Sequence, residues 1–307
     1  MEAKVTVYCL SFNHRQYIEK TLQGFVQQKT NFPFRVVVHD DASDDGTQEL
    51  IKEYVQRYPS IFIGVYQKEN QYSKNVNIYE KFIRPSIKSK YTAICEGDDY
   101  WCDENKLQLQ YDYMEAHPLC ALCVHNTEMI DEPGNSLGKF FNNNSCDKDY
   151  SARDVIERGP GGLFHTSSFF YRTDLRDKRP DAFRMKYVGD YPLAIYLSCE
   201  GNVHYFGRVM SKYRVGSVNS WVKNSSSNKK NQLLHLDNMI SSLNKMDSFT
   251  GGKYHLQFDK VILDAEFEKS IYEVGLLNSL NNARYRKVFL HYSIKNKVKI
   301  VLKALKK

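Results

Sequence analysis

Three acids crowd into the stretch ICEGDDYW: Glu96, Asp98 and Asp99, broken only by Gly97. An apolar, strand-like run precedes them and Tyr100-Trp101 follows. Carboxylates in a cleft bind hard cations through oxygen, and one or two carboxylates plus substrate phosphates is the usual arrangement for Mg2+ or Mn2+. The stretch therefore suggests a metal that grips a diphosphate, and Asp98 is favoured for the metal over a solvated turn. Gly97 lets another group approach the backbone closely. Asp103 is better placed to cap the helix that follows, and Asp99 is read as structural.

A second acidic run, HDDASDDGT, divides in the same way. Ser43 or Asp45 suits the N-cap of the helix QELIKEYVQRY. Asp41, one residue past a strand, suits hydrogen bonds from a nucleobase N–H or a ribose hydroxyl, while Asp40 is equally read as packing scaffold. The sequence has neither a GxxxxGK[ST] nor a GxGxxG loop. Phosphates must then be neutralised by metal and by basic residues, for which Lys74 in NQYSKN and Arg214 in YRVGS are the candidates.

These residues need a frame. KVTVYCLSF, FRVVVHDD, IFIGVYQ and KYTAICEGDD read as short apolar strands separated by helical spacing in RQYIEKTLQGFVQQ, QELIKEYVQRY and NIYEKFIRPSI. The last of these is broken at Pro85. Such alternation predicts an α/β fold with a parallel sheet covered by helices on both faces. Ligands of such sheets sit beyond the carboxyl ends of the strands, where SFNH, HDDASDDGT and EGDDYW converge. After Trp101 come the helix KLQLQYDYMEAHP and the strand CALCVHN. Residues 131–162, rich in Asn, Asp and Gly, are expected to loop over the cleft. GLFHTSSFFYR and NVHYFGRVMSKYRVG read as strands, with YPLAIYLSCEG a helix between them. SVNSWVKNSSSNKK is polar and expected to be mobile, and 232–246, 259–280 and 282–305 read as helices.

The 307 residues, 42% hydrophobic, suit one large α/β domain with an appendage, or two domains. Seven scattered cysteines argue against a disulfide framework. Cys120 and Cys123, in an apolar run without a second pair, read as packed core thiols. No apolar run approaches the roughly 20 residues that span a bilayer, and the first residues do not form a signal peptide. The expectation is a cytoplasmic protein. The net charge of +7 gathers in the basic end YRKVFLHYSIKNKVKIVLKALKK. Within it, HYSIKNKVKIVLKALKK sets Ile294, Val298, Val301, Leu302 and Leu305 against lysines, the pattern of an interfacial membrane helix and equally of an amphipathic helix packed on the domain.

Taken together, SFNH, VVHDDASDDGT, ENQYS and CEGDDYWCDENKLQLQ resemble the family 2 glycosyltransferases of GT-A fold, especially the bacterial subgroup that builds capsule, exopolysaccharide and lipopolysaccharide glycans. The resemblance covers roughly residues 4–215 and is specific over the first 125. It implies a Rossmann-like, mostly parallel central sheet flanked by helices, with a C-terminal helical extension. It divides the chain into 1–220, with a nucleotide-sugar half at 1–125 and an acceptor half at 126–220, and a helical region at 221–307.

The resemblance also implies a nucleotide-sugar donor, most often a UDP-sugar, a Mn2+ or Mg2+ ion, and a glycan or polyprenyl-linked acceptor. Ser11, Asn13, Asp41, Lys74, Glu96, Gly97, Asp98 and Arg214 fall on the donor side. Glu96-Gly97-Asp98 stands at the family's D-x-D motif, with Asp98 and Glu96 toward the metal; Glu replaces the first Asp, and its longer side chain still reaches ribose hydroxyls. Gly216 stands where relatives often carry His. Trp101 and His165 are assigned to the acceptor side. The family inverts the anomeric centre, which requires a base on the acceptor hydroxyl. Asp190 in YVGDYPLAIYL takes that role, although at a helix start before Pro192 it also suits an N-cap. His165 and His125, on apolar strands, are weaker bases. A sugar-1-phosphate nucleotidyltransferase would open with a Gly-rich basic loop that SFNHRQYIEK does not provide. A non-catalytic nucleotide- or glycan-binding module remains the other alternative. A nucleic-acid binder is set aside, because the basic charge is localised and the cleft acidic.

Overall fold

The computed structural model describes residues 2–185, 188–217 and 229–305, with side chains through Leu302. It divides into two compact units, residues 1–151, 162–179 and 196–220 in the first and 152–161, 180–195 and 221–307 in the second. The second unit thus draws two short segments from the middle of the sequence as well as the helices after 220.

The first unit is built on a mixed sheet. Strands β1 (Val5–Ser11), β2 (Phe34–Asp40), β3 (Phe62–Tyr66) and β4 (Tyr91–Ile94) run parallel in the order β3-β2-β1-β4. In β1 nearly every side chain is buried, as expected of a central parallel strand covered on both faces. Helix α1 (Ile18–Val26) turns Ile18, Leu22 and Phe25 inward, and α2 (Thr47–Arg57) turns Leu50 and Ile51. NIYEKFIRPSI forms only a single π-turn, Tyr79–Ile83, and a 3-10 turn, Arg84–Ser86, because Pro85 denies the ladder its donor.

Beyond β4 the sheet turns mixed. Strands β5 (Tyr100–Trp101), β6 (Cys120–Ile130), β7 (Ser136–Phe140), β8 (Lys148–Tyr150), β9 (Phe170–Arg172) and β10 (Asn202–Arg214) follow, with helix α3 (Lys106–Ala116) between β5 and β6. β9 pairs antiparallel to both β4 and β6, while β10 runs parallel to β6 and antiparallel to β5. The expected loop at 131–162 is therefore corrected: it holds β7, β8 and the short helix Ala152–Glu157. β7 is exposed along its whole length and keeps its place through backbone pairing with β6 rather than through an apolar face. Cys120 and Cys123 are buried free thiols, as read from the sequence.

α1 and β5 nearly touch. A Cβ on Gly24 would lie 2.8 Å from the carbonyl oxygen of Trp101. Trp101 fills the space beneath, edge-on to Phe25 at 4.9 Å and only 2% exposed, with its indole N–H donating to Ser167 O at 2.9 Å. The acceptor-side expectation for Trp101 is corrected by that burial: its ring is core.

Lys106 is wholly buried, with its amine 4.0 Å from the centre of the Trp101 ring and donating to Gln110 Oε1 at 2.7 Å. Burial drives its pKa from the ordinary 10.5 down to about 7, against the opposing pull of the Cys95 and Cys123 thiols. Above that pH the native chain keeps Lys106 neutral while the unfolded chain binds a proton. Its contribution to unfolding free energy therefore rises with pH by about 1.4 kcal/mol per unit, and is flat below, where both states are charged. Urea denaturation at pH about 7 and about 8.5 should show this rise in the wild type and a flatter dependence in Lys106→Met; equal slopes would contradict it.

In the second unit, helices Lys229–Phe249 and His255–Val274 bury Leu236, Met239, Leu243 and Met246 on the one and Phe258, Val261 and Ile262 on the other. The helices expected over 259–280 and 282–305 are each interrupted. Gly275, at φ 85°, ends the first at Val274, and the chain restarts three times, as the single turn Leu276–Ser279, as Ala283–His291 and as Ile294–Leu305. Asn282 caps the restart, its side chain accepting from the Arg284 N–H at 2.9 Å. The polar stretch expected to be mobile lies outside the described residues from Val218 to Asn228.

Candidate active site

The backbone ladder gathers the polar strand ends. Ser11 pairs with Asp40 across β1 and β2, Asp41 N–H donates to Ser11 O at 2.9 Å, and Gly97 N–H donates to Leu10 O at 2.9 Å. The chain leaving β4 thus runs on beside the end of β1. There the carboxylates of Glu96, Asp98 and Asp99 approach, each offering an oxygen within 4.8 Å of the others. Glu96 is exposed, Asp98 half-buried and Asp99 buried. The Thr21 hydroxyl pins the turn, 2.6 Å from Asp99 O and 3.0 Å from Gly97 O.

Two buried polar atoms next to the turn have no hydrogen-bond partner: Ser11 Oγ and His14 Nδ1. Both border the space over Gly97, where an added Cβ would lie 2.9 Å and 2.8 Å from them. Unsatisfied buried groups of this kind are costly and call for a reason. A donor, an acceptor and three carboxylates around an open backbone fit a divalent cation carrying a polar ligand. Burial holds His14 below its ordinary pKa, against Asp98, Asp45 and Asp40. Gly97→Ala should fill the cradle and cost about 1–3 kcal/mol of stability by overpacking. An unchanged melting temperature, measured by differential scanning calorimetry, would show that the cradle yields.

Electrostatics separate the three acids. Burial pushes the Asp99 carboxyl well above its usual range, and Asp98 and Glu96 add to the push; the Arg214 N–H, donating to Asp99 Oδ1 at 2.9 Å, opposes it. Behind Asp99 stands His165, with Nε2 3.6 Å from Asp99 Oδ2. Burial holds His165 down to about 4, so it is neutral, and the contact joins a neutral imidazole to a carboxyl biased toward its protonated form rather than two full charges. His165 is buried, stacks on Tyr213 at 4.2 Å and takes a Ser167 contact at Nδ1. Its assignment to the acceptor side is corrected on that ground: it supports Asp99. His125 is buried in the core, as expected.

Arg214 lies at the acidic turn, as the sequence expected of a donor-side residue, but its side chain is turned to main-chain oxygens. Its Nε donates to Asp98 O at 3.1 Å, its Nη1 to Asp131 O at 3.2 Å and to Glu132 O, and the guanidinium lies 4.6 Å over the Tyr17 ring. The side chain is buried and committed to backbone carbonyls, so the expected contact with a diphosphate gives way to positioning of the acidic turn. β5 explains how it arrives: pairing of Ser211 with Trp101 delivers the end of β10 to the acids. Three residues on, Ser217 Oγ donates to Asp98 Oδ2 at 2.7 Å.

The other expected donor-side residues lie around the same strand ends. Asp41 is buried, and its two oxygens accept the N–H groups of Gln71 and Tyr72 at 2.8 and 3.0 Å, so it shapes the loop that carries Lys74. Lys74 is exposed and pairs with Glu69. Asn13, at φ 54°, ties two loops: its N–H donates to Ser43 Oγ and its Oδ1 accepts from Asp44 N–H. Asp40 is scaffold, holding Ser43 and Gln48, and Asp45 takes the N–H and hydroxyl of Thr47 at the start of α2. Asp103 Oδ1 likewise accepts from Asn105 N–H just before α3. Asp190 belongs to the second unit and opens the helix Asp190–Glu200, its Oδ1 2.7 Å from the Tyr191 N–H.

Sequence reasoning missed two residues. His14 was visible only as the last letter of SFNH. Ser217 was not singled out, although it lies in YRVGS, the stretch that supplied Arg214.

An α/β sheet with polar groups gathered at the carboxyl ends of its strands places a ligand site at that edge. The chain matches the family described as Glycosyl transferase family 2 over residues 6–178, and it belongs to that family. It is 34% identical over 170 residues to an uncharacterized protein of Mycobacterium tuberculosis, covering 55% of this chain and 46% of the relative. It is 27% identical over 137 residues to TuaG of Bacillus subtilis, a glycosyltransferase provisionally named for teichuronic acid biosynthesis, covering 45% of this chain and 52% of the relative. The chain spans about half the length of the curated relatives it matches. Among solved structures, the fold resembles Staphylococcus aureus TarS 1–349 in complex with UDP, with TM-score 0.57, 15% identity and coverage of 96% of this chain and 77% of that one. It also resembles the mannosyltransferase PcManGT from Pyrobaculum calidifontis in complex with GDP-Man and Mn2+, with TM-score 0.52, 16% identity and coverage of 99% and 80%.

Proposed function

We propose that this chain is an inverting glycosyltransferase that moves a sugar from a nucleotide-sugar, a UDP-sugar first, to a hydroxyl of a glycan or polyprenyl-linked acceptor in bacterial surface polysaccharide synthesis. The observation that carries the reading is the acidic trio at the carboxyl edge of the sheet beside the unpartnered Ser11 Oγ and His14 Nδ1. Membership of family 2, the UDP and GDP-Man bound in the similar structures and the name of TuaG support it. The reaction is assigned to the cytoplasm.

In this reading Asp98 and Glu96 hold a Mn2+ or Mg2+ ion, which supplies charge to the leaving diphosphate. Asp99, tied to Arg214 and His165, keeps the turn in place from behind. Ser11 and the loop fixed by Asp41 line the nucleoside, and Lys74, exposed beside Glu69, offers a positive charge to the phosphates. Asp190 accepts the proton of the acceptor hydroxyl as its oxygen bonds to the anomeric carbon and the bond to the diphosphate breaks.

A thermal-shift panel of UDP, GDP, CDP and dTDP, each with and without Mn2+, tests the donor half. A rise for one nucleotide that requires Mn2+ is expected. No rise with any of them would remove the nucleotide-sugar reading.

A further inference from the structure

Residues 275–307 contain nine arginines and lysines and no acid, so the remainder of this chain, net charge +7 in total, sums to −2. Within that stretch the helix Ile294–Leu305 has an apolar side. At 100° per residue, Ile294, Val298, Val301 and Leu302 share an arc of about 100°. All four are exposed, at 81%, 50%, 38% and 53%. Leu290, on the helix before it, is exposed as well. That preceding helix, Ala283–His291, is held to its unit by Tyr285 and Phe289 on Phe267, at 5.6 and 6.3 Å, and buries no residue of its own. Lys295 and Lys299 border the apolar arc, and both are exposed.

We propose that the helix Ile294–Leu305 docks in the plane of an anionic lipid surface, with its apolar arc among the acyl chains and its lysines against the headgroups. This stands on the helix alone and is independent of the transfer reaction. Charge selects the occupant. A second copy of the same face would bring like charges together with no carboxylate to pair them, and a nucleic acid would gain nothing from four aliphatic side chains. An interfacial helix uses both features at once. Twelve residues span about 18 Å, well short of the ~30 Å hydrocarbon core, so the helix lies on the surface instead of crossing it. Among the described residues no helix is long and apolar enough to cross a membrane.

The test is co-sedimentation of the full chain with vesicles. Binding is expected to vesicles of equal parts phosphatidylglycerol and phosphatidylcholine, to weaken as salt is raised, and to be absent with phosphatidylcholine alone. Lys295→Gln with Lys299→Gln should weaken partitioning roughly 25-fold. Ile294→Asp with Val298→Asp should abolish it while circular dichroism and the melting temperature stay unchanged, because both side chains are exposed. The proposal is overturned if the chain fails to sediment with the anionic vesicles, or if the aspartate variant sediments like wild type. It is equally overturned if the face instead drives a concentration-dependent dimer or duplex DNA binding without lipid binding.

Discussion

Asp98→Asn removes metal-dependent nucleotide binding and at the same time makes the metal-free protein more stable. Both signs come from the same geometry. Glu96, Asp98 and Asp99 offer oxygens within 4.8 Å of one another, and the two others push buried Asp99 further above its usual range. Asparagine keeps the shape of Asp98 and can still accept the Ser217 hydroxyl, now 2.7 Å from Oδ2. What disappears is one negative charge. Relief of like-charge crowding should raise unfolding free energy by about 1 kcal/mol. Loss of an anionic ligand should weaken the Mn2+-dependent part of nucleotide binding by about two orders of magnitude. Calorimetric titration with the nucleotide selected by the thermal-shift panel, together with a metal-free melting curve, reads both effects. A variant that binds nucleotide and Mn2+ as tightly as wild type would remove Asp98 from the metal.

The second large effect is expected at Asp190. Its carboxylate lies at the first turn of the helix Asp190–Glu200, 2.7 Å from the Tyr191 N–H, an arrangement that a purely structural cap would also show. Asn and Asp cap helices about equally well. Asp190→Asn therefore separates the two roles: it preserves the cap and removes the base. The melting temperature and nucleotide affinity should stay at wild-type values while turnover falls by about 10²–10⁴. Retained turnover with an assayed acceptor would leave Asp190 a cap and nothing more.

What was legible in the sequence was the part written in local chemistry. Apolar runs gave the parallel strands β1 to β4, and the acids after them marked the carboxyl edge. The core thiols followed from position alone; Asp45 and Asp103 do sit just before α2 and α3 and bond Thr47 and Asn105, but the cap residues are Gly46 and Asn105, without a side-chain cap bond. The partners of polar side chains did not follow. Arg214 and Asp98 are separated by more than a hundred residues, and only the pairing of β5 with β10 brings the arginine to the acidic turn. Asp41 was correctly placed at the edge, but its oxygens are taken by the N–H groups of Gln71 and Tyr72, about thirty residues away. Trp101 and His165 misled for the same reason: aromatic and imidazole side chains suit a cleft and a core alike, and burial is a property of the whole sheet.

Arg214 meets its neighbours through main-chain oxygens, those of Asp98, Asp131 and Glu132. Every residue type displays the same carbonyl. The grip itself reads no side chain, but the Glu132 carboxylate accepts from the Tyr17 hydroxyl at 3.1 Å and so steadies the ring over which the Arg214 guanidinium lies. A substitution at Glu132 would leave the carbonyl to Arg214 and remove only the Tyr17 contact. Insertion or deletion in the same turn would shift the oxygens themselves and would be felt at once at Asp98.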